Sequence, residues 1–199
     1  RGLGDVYKRQ AGKYTVTEEV PYGFVKNQPQ SVYIEAGKDH VLTFENRFQK
    51  GVIKLEKMGE TVSWHEDGEN DPHPVTKVGG IAGAEYEVIA CDDFAGYDGT
   101  LLQREGDVAA VLTTDREGKA ETGLLYLGRY IVRERKAPPG YLVDTTEHEV
   151  TLTYDEDTVT VETELRVSDA AKTGRLMMEH DFSPTVLSDS KDRIVPLSK

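Results

Sequence analysis

The sequence predicts an all-β chain, an antiparallel Greek-key β-sandwich built as tandem modules. Short runs rich in Val, Ile, Thr and Tyr alternate with clusters of Gly, Asp and Pro from end to end. No window sustains the 3.6-residue period of an amphipathic helix. A block of residues is also written twice, the mark of an array. Its first copy reads Tyr14, Glu18, Pro21, Gly23, Asn46, Lys57 and its second Tyr130, Glu134, Pro138, Gly140, Asp169, His180. Asn46 and Lys57 are 11 positions apart, as are Asp169 and His180, and these two marks recur after 123 residues. The register therefore holds across a whole module.

The elements follow in order. Asp5–Gln10 (DVYKRQ) is similar to the translation of a transposase mosaic-end adapter, so residues 1–10 are set apart as an artefact. Residues 11–48 read as the C-terminal part of a first module, 49–171 as a complete module and 172–199 as the start of a third; the whole reads as a fragment of a longer array. Within the complete module the expected strands are 52–57, 84–90, 108–113, 119–124, 129–133, 148–154 and 158–167. About seven strands in some 120 residues suit a sandwich. Residues 61–80 and 92–106 read as long polar loops.

Charge and composition exclude several classes. The 199 residues carry 24 Lys and Arg against 36 Asp and Glu, a net charge of −12, with no extended basic patch to hold a nucleic acid. The apolar runs are too short for a membrane span. The single cysteine, Cys91, excludes an intrachain disulfide and reads as a small half-buried strand residue. Residues Trp64, His65, Glu66, Asp67, Asp71 and His73 gather metal-type side chains without zinc or EF-hand spacing, so they read as a solvated loop. No Ser-His-Asp set, phosphate loop or CxxC pair is present, and neither a cofactor nor a turnover enzyme is expected.

Strand parity points to the chemistry. Side chains alternate between faces, so Ile53, Leu55 and Lys57 share one face, and Tyr130, Val132 and Glu134 share another. Val159, Val161, Leu165, Val167 and Asp169 form a third set. In the first module, Tyr14, Val16 and Glu18 form one set and Leu42, Phe44 and Asn46 another. Burial disfavours charge, which drives a core-facing amine and a core-facing acid toward their neutral forms. A neutral amine at Lys57 can attack the side-chain carbonyl of Asp169 while a protonated Glu134 polarises it and shuttles protons, giving an amide and one water. In the first module Glu18 is the corresponding shuttle and Asn46 the acceptor. A buried salt bridge without a covalent bond leaves the same sequence signature.

The run YIVRERKAPPGY (Tyr130–Tyr141) resembles the E-box of Gram-positive pilins and of Cna-B/SpaA-type repeats. VIKLEK (52–57), GIAGAEYEVIA (80–90), TTDREGKA (113–120) and LYLGRY (125–130) are similar to the other signposts of that module. The resemblance covers residues 47–171. It implies a prealbumin-like sandwich on the bacterial cell surface, often cross-linked internally, with Lys on the first strand, the acid on the E-box strand and Asn or Asp on the last. Asp169 stands where Asn is more frequent. At the Lys position of the third module stands His180, whose imidazole cannot form the amide.

The function expected is that of a structural stalk module in a wall-associated surface protein or pilus-like fibre, with neighbouring modules of the same polypeptide as partners. The alternative is an adhesin module holding a host-matrix protein or cell-surface glycan through residues 61–80 and 92–106, with Trp64, Phe94 and Tyr97 as contacts.

Overall fold

The computed structural model describes residues 10–65, 73–169, 186–188 and 194–196. The side chains of residues 62–65, 73–74, 169, 186–188 and 194–196 lie outside that description. In order, the strands are β1 (Gly12–Val16), β2 (Gln30–Ile34), β3 (Lys50–His65), β4 (His73–Gly80), β5 (Glu85–Ala90), β6 (Phe94–Ala95), β7 (Leu101–Gln103) and β8 (Val108–Thr113). They continue with β9 (Lys119–Glu121), β10 (Leu125–Tyr126), β11 (Gly128–Lys136), β12 (Glu147–Leu152), β13 (Thr160–Asp169), β14 (Val186–Ser188) and β15 (Ile194–Pro196). Among the described residues there is no helix, and so none long and apolar enough to cross a membrane.

Two sheets face each other. One is organised on β3: β13 lies along one edge from Lys50 to Gly59, while β10, β9 and β4 follow one another along the other. The second runs β12-β11-β5-β8. Every second residue of β3 from Gly51 to Gly59 is buried, and β5 and β11 alternate in the same way. Ile53, Leu55, Val161 and Val167 thus meet Tyr86, Val88, Tyr130, Val132, Val150 and Leu152 in one core. Each such side chain contributes roughly 1.5–3 kcal/mol by leaving water.

Among the described residues the pairings are antiparallel with one exception. β13 runs parallel to β3, Thr160 opposite Lys50 through Asp169 opposite Gly59. First and last strands therefore lie side by side, and the chain enters and leaves the module at opposite ends of this pair.

Several expectations need correction. Residues 61–80 are not a long loop, because β3 runs on to His65 and pairs with β4 from Met58↔Gly80 to His65↔His73. Among its described side chains this ribbon exposes Thr61, Thr76, Lys77 and Val78, and cross-strand backbone pairing forms it. Residues 92–106 likewise contain the small hairpin of β6 and β7. The strand expected at 119–124 stops as β9 at Glu121, where Thr122 turns its hydroxyl to accept from the Ile53 N–H at 3.0 Å, and β10 begins only at Leu125. Val159, assigned to the inward set, precedes β13 and is exposed. The 42–46 stretch is not a strand.

Gly118 is a steric requirement. Gly118 has φ +78°, and a Cβ there would overlap the carbonyl oxygen of Lys57, whose own N–H donates to the Gly118 carbonyl at 2.6 Å. Gly118→Ala is expected to lose about 3 kcal/mol in urea unfolding. Gly123→Ala, with nothing within 4 Å of the new methyl, is expected to unfold like the parent.

Candidate functional site

Lys57 lies in the inward series of β3 and is 0% exposed, the largest fully buried side chain after Tyr86 and Tyr130. Glu134, 6% exposed, lies on β11 in the opposite sheet. Their side chains meet across the core with Nζ 3.5 Å from Oε1. Two ionisable groups on strands far apart in sequence are thus brought together inside an apolar sandwich, an arrangement whose desolvation is costly.

The surroundings hold the pair in position. Tyr86 is the cross-strand neighbour of Glu134, and its ring centroid lies 5.5 Å from the Lys57 Nζ, within reach of a cation–π interaction. The other carboxylate oxygen of Glu134, Oε2, accepts the backbone N–H of Asp144 at 2.7 Å. Asp144 is itself held below its usual carboxylate range, first by hydrogen bonds from the Thr146 hydroxyl and backbone N–H. An ionised Asp144 thereby keeps the turn that aims its amide at Glu134. Tyr141, from the Pro-Gly turn, packs its ring against Gly59, where a Cβ would stand 3.1 Å from Cε1, and donates to the Glu60 carbonyl at 2.7 Å.

Val167 is the register partner of Lys57 and Asp169 that of Gly59. The Asp169 backbone is therefore two residues from the point on β13 opposite Lys57, at the end of the module that Tyr141 covers. The Asp169 side chain lies outside the described residues, as does His180 altogether.

The first copy of the block repeats part of this geometry. Tyr14 donates its hydroxyl to the Gln10 carbonyl at 2.9 Å and Tyr130 to the Tyr126 carbonyl at 2.7 Å, four residues upstream in both cases. Glu18 and Asn46 meet, the Asn46 amide donating to Oε1 at 3.0 Å. Asn27 donates to Glu18 Oε2 at 2.6 Å, the role that the Asp144 backbone plays for Glu134.

The model of the SpaA prealbumin-like fold domain matches residues 75–166. That stretch has a prealbumin-like fold. The match spans β4 to β13 and includes Glu134, while Lys57 and Asp169 flank it. Among solved structures, this chain is similar to the TIE protein of Bacillus anthracis, with 20% identity over 81% of this chain and 25% of that one (TM-score 0.49). It is also similar to BcpA, the major pilin subunit of Bacillus cereus, with 26% identity over 59% of this chain and 28% of that one (TM-score 0.33). A minor pilin of Streptococcus agalactiae shares 17% identity over 81% of this chain and 66% of its own (TM-score 0.41). The chain thus spans about a quarter of the first two proteins. No curated protein sequence matches it.

Sequence reasoning missed Tyr86 and Asp144. Tyr86 had a signal, since it shares parity with Ala84, Val88 and Ala90 and places a hydroxyl on an otherwise apolar face. Asp144 had half of one: its carboxylate accepts the Thr146 N–H at 2.9 Å, a turn that the order Asp-Thr-Thr favours. That the turn folds back onto Glu134 is a tertiary fact. Of the expected ligand contacts, Phe94 is half-buried and stacked on Tyr126, the Trp64 side chain lies outside the described residues, and Tyr97 is 95% exposed. Among the described residues no group of His, Cys, Asp and Glu could hold a metal.

Proposed function

We propose that residues 49–171 are a load-bearing SpaA module in the stalk of a surface protein or pilus-like fibre of a Gram-positive bacterium. In this reading 11–48 and 172–199 belong to neighbouring modules, and the complete module is closed by a Lys57–Asp169 amide that the chain makes for itself. The observation that carries it is the fully buried Lys57–Glu134 pair, on strands whose register brings Asp169 to the same end of the core.

The chemistry balances without a cofactor. Glu134 takes a proton from the Lys57 ammonium, and the freed amine attacks Cγ of Asp169. Glu134 then returns that proton, and relays a second one from the attacking nitrogen, to the departing oxygen. An ammonium and a carboxylate become one amide and one water. The hydrogen bond from the Asp144 N–H leaves the Oε1 edge of Glu134 facing the amine. The reaction runs once per molecule, so the module is not a turnover enzyme.

The full chain is expected to weigh one water less than its sequence and to yield a Lys57–Asp169 linked peptide pair on digestion. A mass equal to the sequence, with both residues recovered free, would overturn the cross-link. A second reading, an adhesin module, draws support from Tyr97 at the tip between β6 and β7. Binding of a host-matrix component that Tyr97→Ala abolishes would decide for it.

A further inference from the structure

The Pro-Gly turn of the first copy has a binding partner in the second module. Phe24, at the end of the turn, stacks on Phe48 with ring centroids 4.6 Å apart. Phe48 in turn meets the edge of Phe94 at 5.2 Å, and Phe94 stacks on Tyr126 at 4.3 Å. These rings come from four segments: the turn, the connection before β3, β6 and β10. Phe94 and Tyr126 thus present an aromatic socket at the entry end of the sandwich.

Backbone bonds and one buried amide fasten the connection on both sides. The Val25 N–H donates to the Arg47 carbonyl and the Gln49 N–H to the Gly23 carbonyl, both at 2.8 Å, bracketing a β-bridge between Phe24 and Phe48. The Gln49 side chain, 1% exposed, points the other way into the complete module. Its Nε2 donates to the carbonyls of Asp155 and Thr158 at 2.6 and 2.5 Å, and its Oε1 accepts the Asp155 N–H at 3.0 Å. Gln49 therefore holds the preceding turn with its backbone and the turn before β13 with its side chain. On that same side Tyr22 packs against Tyr154, centroids 4.7 Å apart.

A flexible linker has no use for a buried, fully hydrogen-bonded amide or for four rings in series. We infer that the Pro-x-Gly-aromatic turn is a docking element: the Phe94–Tyr126 socket receives Phe24 through Phe48, and Gln49 locks the two modules into one rigid body. The partner this surface fits is the equivalent turn of a preceding module in the same polypeptide. This deepens the stalk reading, since a rigid junction transmits orientation as well as tension.

Amide relaxation by NMR on the full chain tests it, because nanosecond tumbling separates one rigid body from two. Residues 12–34 and 50–169 are expected to share one correlation time in the parent. In Phe48→Ala and in Gln49→Ala, residues 12–34 are expected to tumble several-fold faster while 50–169 keep the parent value. Phe94→Ala, outside the main core cluster, gives a second route to the same release should either variant unfold. Two correlation times in the parent, or one retained in all three variants, would overturn the docking. The cross-link is read separately by mass: a chain one water light that tumbles as two bodies sinks the docking alone.

Discussion

Replacing Glu134 by Ala is expected to leave the chain at its full sequence mass and to destabilise it strongly. Two effects add. Removing one member of a fully buried pair costs about 3–5 kcal/mol, because its partner is left where water cannot reach it. Loss of the proton shuttle also forfeits the amide and whatever constraint it places on the unfolded chain. Glu134→Gln separates the two effects: its amide oxygen can still accept the Asp144 N–H, and the shape of the site is kept, yet it cannot carry protons. The Glu134→Gln chain is thus expected to lose less stability than Glu134→Ala, and to remain unlinked. Equal loss of water in parent and Glu134→Gln would show that some other group is the catalyst.

Lys57→Ala is expected to change the mechanical response most. Because β3 and β13 are parallel neighbours and the chain enters at one end of the pair and leaves at the other, tension loads them in shear. With the amide in place, force passes from Lys57 to Asp169 and bypasses everything between. Pulling on the parent is then expected to release almost none of the intervening chain, whereas Lys57→Ala unravels through the whole module. The bond would close a loop of about 112 residues and, if it acts like a disulfide of that span, contribute roughly 4–5 kcal/mol through the unfolded state. The variant is accordingly expected to melt at a markedly lower temperature. Equal extension of both chains in a single-molecule experiment would exclude the load-bearing amide.

Much of the site was legible because strand parity is a local property. Lys57 continues the face of Ile53 and Leu55, and Glu134 that of Tyr130 and Val132, and all six side chains are buried. Parity failed where local patterning carries no burial. The β3–β4 ribbon exposes Thr61, Thr76 and Lys77, and its sequence looks like a loop although its backbone is paired over eight positions. Val159 failed for a different reason: parity assumes a strand, and β13 begins one residue later.

By itself, then, the sequence determined the all-β class and that Lys57 and Glu134 face inward. These depend on alternation, turn chemistry and spacing, all of which are written along the chain. Only the tertiary structure decided that Lys57 meets Glu134 across the core, that β3 and β13 run parallel, and that the Asp144 amide and the Tyr86 ring frame the pair. It also decided that Phe24 and Phe48 join Phe94 and Tyr126 at the module junction. Those facts bring together residues dozens of positions apart. Their contacts depend on how two sheets stack and which strand edges pair, and no local pattern encodes that distance.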